Sequence, residues 1–92
     1  MGETTKKFDN FLAKPLQDCD IKDVPGVGPT SLNKLKTATI DTTMKLMGHY
    51  LTTGCDLDKM TEFLEVVCDI RKQEGAKISD ALQKKAARIV IC

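Results

Sequence analysis

Tryptophan is absent from these 92 residues, tyrosine occurs once and phenylalanine three times. With so few aromatics, and almost no alternation of β-branched with polar residues, a sheet-built core is excluded. No apolar run approaches the ~20 residues of a membrane span, so no membrane insertion is expected. The opening residues are polar and charged, unlike a secretory signal. Met1-Gly2 invites a myristoylation reading, but Lys6 stands where that signal requires Ser or Thr, so lipidation is not expected.

Clustered cysteine is lacking too. Cys19, Cys55, Cys68 and Cys92 are far apart, with no Cys-x-x-Cys pair, which speaks against a disulfide framework or zinc site and for a reducing compartment. His49 is the only histidine and has no carboxylate or cysteine at helical spacing; Asp56 and Asp58 are not followed by calcium-loop ligands. Neither metal nor cofactor is expected. Without a visible nucleophile, general base or metal cluster, an enzyme is not expected either. Excess charge of one sign is missing as well. Fourteen Lys and Arg against thirteen Asp and Glu leave a net +1, which excludes a chain that coats nucleic acid by bulk electrostatics.

What is present is helical periodicity. Apolar residues recur at i, i+3, i+4 in segment after segment, predicting an all-α fold, a compact five-helix domain spanning residues 1–92. A first helix over Thr5–Lys14 places Phe8, Phe11 and Leu12 on one face and stops at Pro15. A second starts at Pro29 with Leu32 and Leu35 inward. Asp41 is expected to cap a third, striped by Met44, Met47, Tyr50 and Leu51 and ending near Gly54. Asp56 caps a fourth, with Leu57, Met60, Phe63, Leu64 and Val67 inward, and Ser79 a fifth that buries Leu82, Ala86 and Ile89. Charge is uneven: Asp56, Asp58, Glu62, Glu65 and Asp69 outweigh Lys59, whereas Arg71, Lys72, Lys77, Lys84, Lys85 and Arg88 outweigh Glu74 and Asp80. The basic stretch reads either as a solvated face or as a phosphate-binding one.

The chemistry is concentrated in Val24-Pro-Gly-Val-Gly-Pro29, which sets Gly26 and Gly28 just before a helix start. Glycine takes positive φ and has no Cβ, so backbone amides around Gly26, Gly28 and Thr30 can point outward together at the positive end of a helix dipole. That is an anion site, and the anion repeated along a polymer is the nucleic-acid phosphate. Lys34, one turn on, can reach the same backbone. Such contacts fix position without reading bases. Both glycines are expected to act through the backbone, so a Gly26→Glu chain should keep its helices and lose binding. A turn joining two packed helices with no ligand is the plainer alternative.

From Val24 through Leu32, Leu35, Ile40, Thr43 and Leu46 the sequence resembles the helix-hairpin-helix DNA-binding elements. With Lys7, Phe11 and Pro15, the Gly26-Val27-Gly28 turn, Ile40-Asp41, Gly48-His49-Tyr50-Leu51, and Asp56 through Phe63-Leu64 to Cys68, nearly the whole chain is similar to the barrier-to-autointegration factor family. The resemblance implies a SAM-like, five-helix, non-enzymatic chromatin protein of the nucleus, with some in the cytoplasm. Its implied partners are double-stranded DNA, a second copy of itself in a homodimer that bridges two duplexes, and LEM-domain proteins of the nuclear envelope. By position it implies DNA contacts at Thr5, Lys6, Lys7, Gly26, Val27, Gly28, Thr30 and Lys34. Arg71, Lys72 and Lys77 share a second DNA-facing turn, where a gap leaves the individual roles open. Phosphorylation is implied at Thr4 and Thr5, where added negative charge would oppose Lys6 and Lys7. Phe63 matches a partner-binding tryptophan of the fourth helix, while the family's later tryptophan matches nothing aromatic here. Met47, Gly48, Tyr50 and Leu51 are expected at the dimer interface, because their stripe is broad for so small a domain and Gly48 permits close approach of a neighbouring backbone. The alternative is a helical-hairpin module that packs on a protein partner and never touches DNA.

Overall fold

In the computed structural model, which describes residues 2–88 and the side chains of residues 8–88, the described chain forms five α-helices and no strand. They are α1 (Gly2–Ala13), α2 (Pro29–Thr37), α3 (Thr43–Thr52), α4 (Leu57–Val66) and α5 (Lys72–Arg88), with short 3-10 turns at Leu16–Asp18 and Ile21–Asp23 between α1 and α2. The all-helical fold is the expected one, but several boundaries differ.

Pro29 opens α2 and Asp56 caps α4, its side chain accepting from the Lys59 amide at 3.1 Å. The α3 cap is shifted by one residue. Thr42 accepts from the Lys45 amide, while Asp41 takes the Lys45 ammonium at 2.9 Å, and that hydrogen bond holds the Asp41 carboxyl below its usual range. The expected Ser79 cap is wrong by two turns, since α5 already begins at Lys72. Ser79 is buried in mid-helix, where Thr61 of α4 donates to its hydroxyl at 3.2 Å. Gly75, inside α5, is buried against Leu64 and Thr61 of α4.

Helices α2 and α4 are both followed by a residue in the left-handed region, Thr39 and Asp69, and then by an isoleucine whose amide returns to a leucine carbonyl, five residues back from Ile40 and six from Ile70. Ile40 bonds to Leu35 at 2.8 Å and Ile70 to Leu64 at 3.0 Å, and both isoleucines are buried. This closure satisfies the last carbonyls and buries an apolar residue just past each helix.

The core gathers Phe11 from α1, Val24 and Val27 from the hairpin, Leu35 from α2, Leu46, Met47 and Tyr50 from α3, Met60 and Leu64 from α4, and Ile78, Leu82 and Ala86 from α5. Two expectations about it need correction: Met44 and Val67 are 55% and 60% exposed rather than inward. Ile89 lies outside the described residues. Cys19 and Cys68 are buried free thiols, and burial pushes both up from the usual thiol range, whereas Cys55 is disulfide-bonded, against the expectation of separate thiols.

Lys85 is the largest departure from the expected pattern. Expected in a basic surface run, it is 1% exposed, and its ammonium donates to the α1 carbonyls of Phe11 at 2.6 Å and Leu12 at 3.3 Å, and to that of Lys14. It also stands 5.2 Å from the centre of the Phe11 ring. A cation thus sits on the negative end of α1 and ties it to α5.

Candidate nucleic-acid interface

Val24-Pro25-Gly26-Val27 form a reverse turn closed by the Val27 amide on the Val24 carbonyl at 3.0 Å. Proline in the second position and Gly26 at φ +94° in the third are what a type II turn requires. Val24, Pro25 and Val27 are buried, so the turn is anchored by apolar side chains on both sides of Gly26.

The two glycines do different work. A Cβ on Gly26 would stand 2.9 Å from Lys77 Cβ and 3.1 Å from both the Glu74 carbonyl oxygen and Ile78 Cγ1, all on α5. Gly26 is therefore a packing position that lets the hairpin lie on α5. This overturns the expectation that Gly26→Glu would leave the fold intact. Gly28 has extended backbone at φ −97°, open to any residue, and nothing within 4 Å of an added Cβ. It caps α2 without a side-chain hydrogen bond. Pro29, which has no amide hydrogen, the exposed Thr30 and the buried Ser31 make the first turn, where the Thr30 and Ser31 amides have no acceptor within the helix. Gly28 is thus the glycine that leaves the helix terminus uncovered.

Around this terminus is a shallow cleft of about 470 Å³ lined by Phe8 of α1, by Pro25 to Gly28, and by Glu74, Lys77 and Asp80 of α5. Of the residues expected to contact DNA, the structure gathers Gly26, Val27, Gly28 and Lys77 here, and Thr30 is exposed two residues after Gly28. Val27 is buried, so only its backbone is offered. Glu74 is turned toward α2, where the buried Ser31 hydroxyl donates to it at 2.8 Å, and Asp80 pairs with Lys84 at 2.7 Å. Both carboxylates are engaged within the fold. The sequence offered no pattern that singles out Ser31 and Glu74 as partners.

Lys34 shares a helix face with Thr30, four residues earlier, but its ammonium reaches away to the α4–α5 turn. There it donates to the Asp69 carbonyl at 2.5 Å and lies 3.6 Å from the Asp69 carboxylate. Arg71 and Lys72, both exposed, stand just beyond that turn, with Lys72 inside α5 rather than in a loop. Thr4, Thr5, Lys6 and Lys7 fall on α1, but their side chains lie outside the described residues.

The expected dimer residues separate as well. Met47 and Tyr50 are 1% and 0% exposed, and the Tyr50 hydroxyl donates to the Cys55 carbonyl at 3.1 Å. Their side chains belong to the core of the single chain and are unavailable to a partner. Gly48 is exposed with open space at its Cβ, and Leu51 is half-buried. Phe63, half-buried, stacks on the exposed His49 ring at 4.7 Å and 19°. Among the described residues no group of His, Cys, Asp and Glu is placed to hold a metal, and no helix is long and apolar enough to cross a membrane.

Comparison with known proteins agrees with this architecture. The family model described as barrier to autointegration factor matches residues 2–89. The chain is 34% identical to barrier-to-autointegration factor 1 of Caenorhabditis elegans over 83 residues, covering 90% of this chain and 93% of the relative. It is 26% identical to barrier-to-autointegration factor of Drosophila melanogaster over 82 residues, covering 89% and 91%. With a match that runs almost from end to end over five helices and a hairpin, the chain belongs to the barrier-to-autointegration factor family.

Proposed function

We propose that the chain is a non-enzymatic protein that binds double-stranded DNA without sequence preference, and that as a homodimer it bridges two duplexes. The observation that carries this reading is the uncovered start of α2, where Gly28 leaves the first-turn amides open beside Lys77. A phosphate oxygen there would meet N–H donors and the positive end of the helix dipole, with no base edge in reach. Family membership supports a DNA-binding, chromatin-organising role in general. We extend the proposal to a nuclear location shared with the cytoplasm and to LEM-domain partners meeting Phe63. Phosphate on Thr4 or Thr5 would weaken binding by opposing Lys6 and Lys7. For the homodimer, the available face is Met44, Gly48 and Leu51, which follow one another at helical spacing on α3 and are exposed or half-exposed.

The test contrasts the two glycines. Gly28→Glu has room for its side chain and places a carboxylate where a phosphate would sit. We expect it to keep wild-type helicity and thermal midpoint and to lose at least about 100-fold in duplex affinity at moderate salt, as several phosphate contacts are lost together. Gly26→Ala is expected to lower stability by about 2 to 4 kcal/mol through backbone strain and collision with α5. Circular dichroism with urea titration, and fluorescence anisotropy on duplexes of unrelated sequence, read both effects. A folded Gly28→Glu protein with full affinity would remove the phosphate site and leave the protein-interaction module.

A further inference from the structure

Lys34 lies one turn after Thr30 on α2, yet its ammonium is held by another part of the same chain. It donates to the Asp69 carbonyl at 2.5 Å and pairs with the Asp69 carboxylate at 3.6 Å. Asp69 is an unusual residue for its place. With φ +57° it occupies the left-handed position after α4, where glycine or asparagine is the favoured choice, and an aspartate there accepts strain. Its side chain is 94% exposed, so burial does not account for the carboxylate, and Arg71 and Lys72 follow directly. Asp69 thus holds Lys34, while Lys72 shares a groove with Asp58, Glu62 and Glu65 of α4.

We propose that Asp69 is an intramolecular competitor for DNA, occupying Lys34 in the free protein and setting the affinity of the phosphate surface. This rests on the DNA-binding reading above. In the free chain the Asp69 carboxylate takes the place of a phosphate oxygen. On binding, the Lys34 ammonium exchanges Asp69 for the nucleic-acid backbone. The released carboxylate then gathers a cation from solution, which offsets part of the counterion release from DNA and makes the salt dependence shallower than the number of basic contacts implies. The carbonyl contact guides the side chain back to the same place when DNA leaves.

The test is a cycle of Asp69→Asn and Lys34→Ala, alone and together, measured by anisotropy with a random duplex across a salt series. Asparagine tolerates the left-handed backbone and removes only the charge. In the chain with Lys34 intact, Asp69→Asn is expected to tighten binding about threefold to fivefold at low salt, the range of an exposed ion pair. It should also steepen the slope of log K against log salt by up to about 0.9. In the Lys34→Ala background the gain should shrink to the small effect of removing one distant negative charge. Equal gains in both backgrounds would overturn the proposal, because Asp69 would then act only as a general repulsive charge. No gain in either would overturn it as well. Wild-type protein that binds no duplex at any salt would instead mark failure of the DNA reading itself, a result the cycle distinguishes from both.

Discussion

Replacing Lys85 by methionine is expected to cost about 2 to 4 kcal/mol of folding stability, since each buried carbonyl left without a donor costs about 1 to 3 kcal/mol and the ammonium's own desolvation, no longer incurred, offsets part of that loss. Methionine fills a similar volume, so the loss comes from the contacts of the ammonium rather than from a cavity. Its deletion leaves the carbonyls of Phe11, Leu12 and Lys14 at the end of α1 without their donor. The Cys19 thiol reaches the first and last of these only weakly, at 3.7 and 3.9 Å. Against a total stability of about 5 to 15 kcal/mol, such a loss is a large fraction. The control is Lys84→Met. Lys84 is exposed, pairs with Asp80 one turn away and lies 5.6 Å from the Phe8 ring, so about 0.5 kcal/mol is the expected cost. Urea unfolding followed by circular dichroism separates the two variants. Equal midpoints for Lys84→Met and Lys85→Met would show that the buried ammonium contributes nothing to the lock between α1 and α5.

That contact also marks the limit of what the sequence reveals. Periodicity places helices correctly because it depends only on residues a few positions apart, and so α2, α4 and the hairpin are legible with their caps. Lys85 is seven residues after Ile78 and three after Leu82, which puts it on the apolar face of α5, a signal available in the sequence. Its residue type hid the position. A lysine is buried only when a specific set of acceptors waits for it, and those acceptors lie 71 to 74 residues earlier. Ser79 misled in the opposite way. A serine followed by an acid reads locally as a helix cap, but the hydroxyl is satisfied by Thr61 across the α4–α5 contact.

The candidate site was legible in its backbone and not in its charges. Pro25 and the two glycines announce a turn into a helix, and the structure has both. Which glycine is packed and which is open depends on α5, fifty residues away, and no local pattern reports it. The same holds for Lys34, whose helix face is readable and whose partner Asp69 is not. The dimer stripe failed for a geometric reason. Met47, Tyr50 and Leu51 looked too broad for one helix to bury, but the rest of the fold covers Met47 and Tyr50, and the open face lies along Met44, Gly48 and half-buried Leu51.

On that open face, Gly48→Glu is expected to abolish bridging between duplexes while leaving the single chain folded. Glycine inside an exposed stretch of helix is destabilising by about 1 kcal/mol relative to good helix formers, so Glu at this position should leave the protomer unharmed or slightly more stable. Nothing in the chain lies within 4 Å of the new Cβ, which removes any internal clash. A helix that keeps a costly glycine at an exposed position, between the exposed Met44 and half-buried Leu51, is suited to close approach by a second helix. A glutamate buried in that contact would cost several kcal/mol and split the pair. Bridging would go with it, since one protomer presents a single hairpin. Apparent affinity for long DNA should also drop, by as much as about 10² to 10⁴ where two sites had acted together. Sedimentation of both proteins, alone and with short duplexes, reports the protomer count, and capture of a labelled duplex by an immobilised one reports bridging. A Gly48→Glu protein that still sediments as a dimer and still captures the second duplex would place the interface elsewhere on the molecule. Wild-type protein that stays monomeric and joins no duplexes at any concentration would remove the dimer, leaving a single hairpin that binds one DNA at a time.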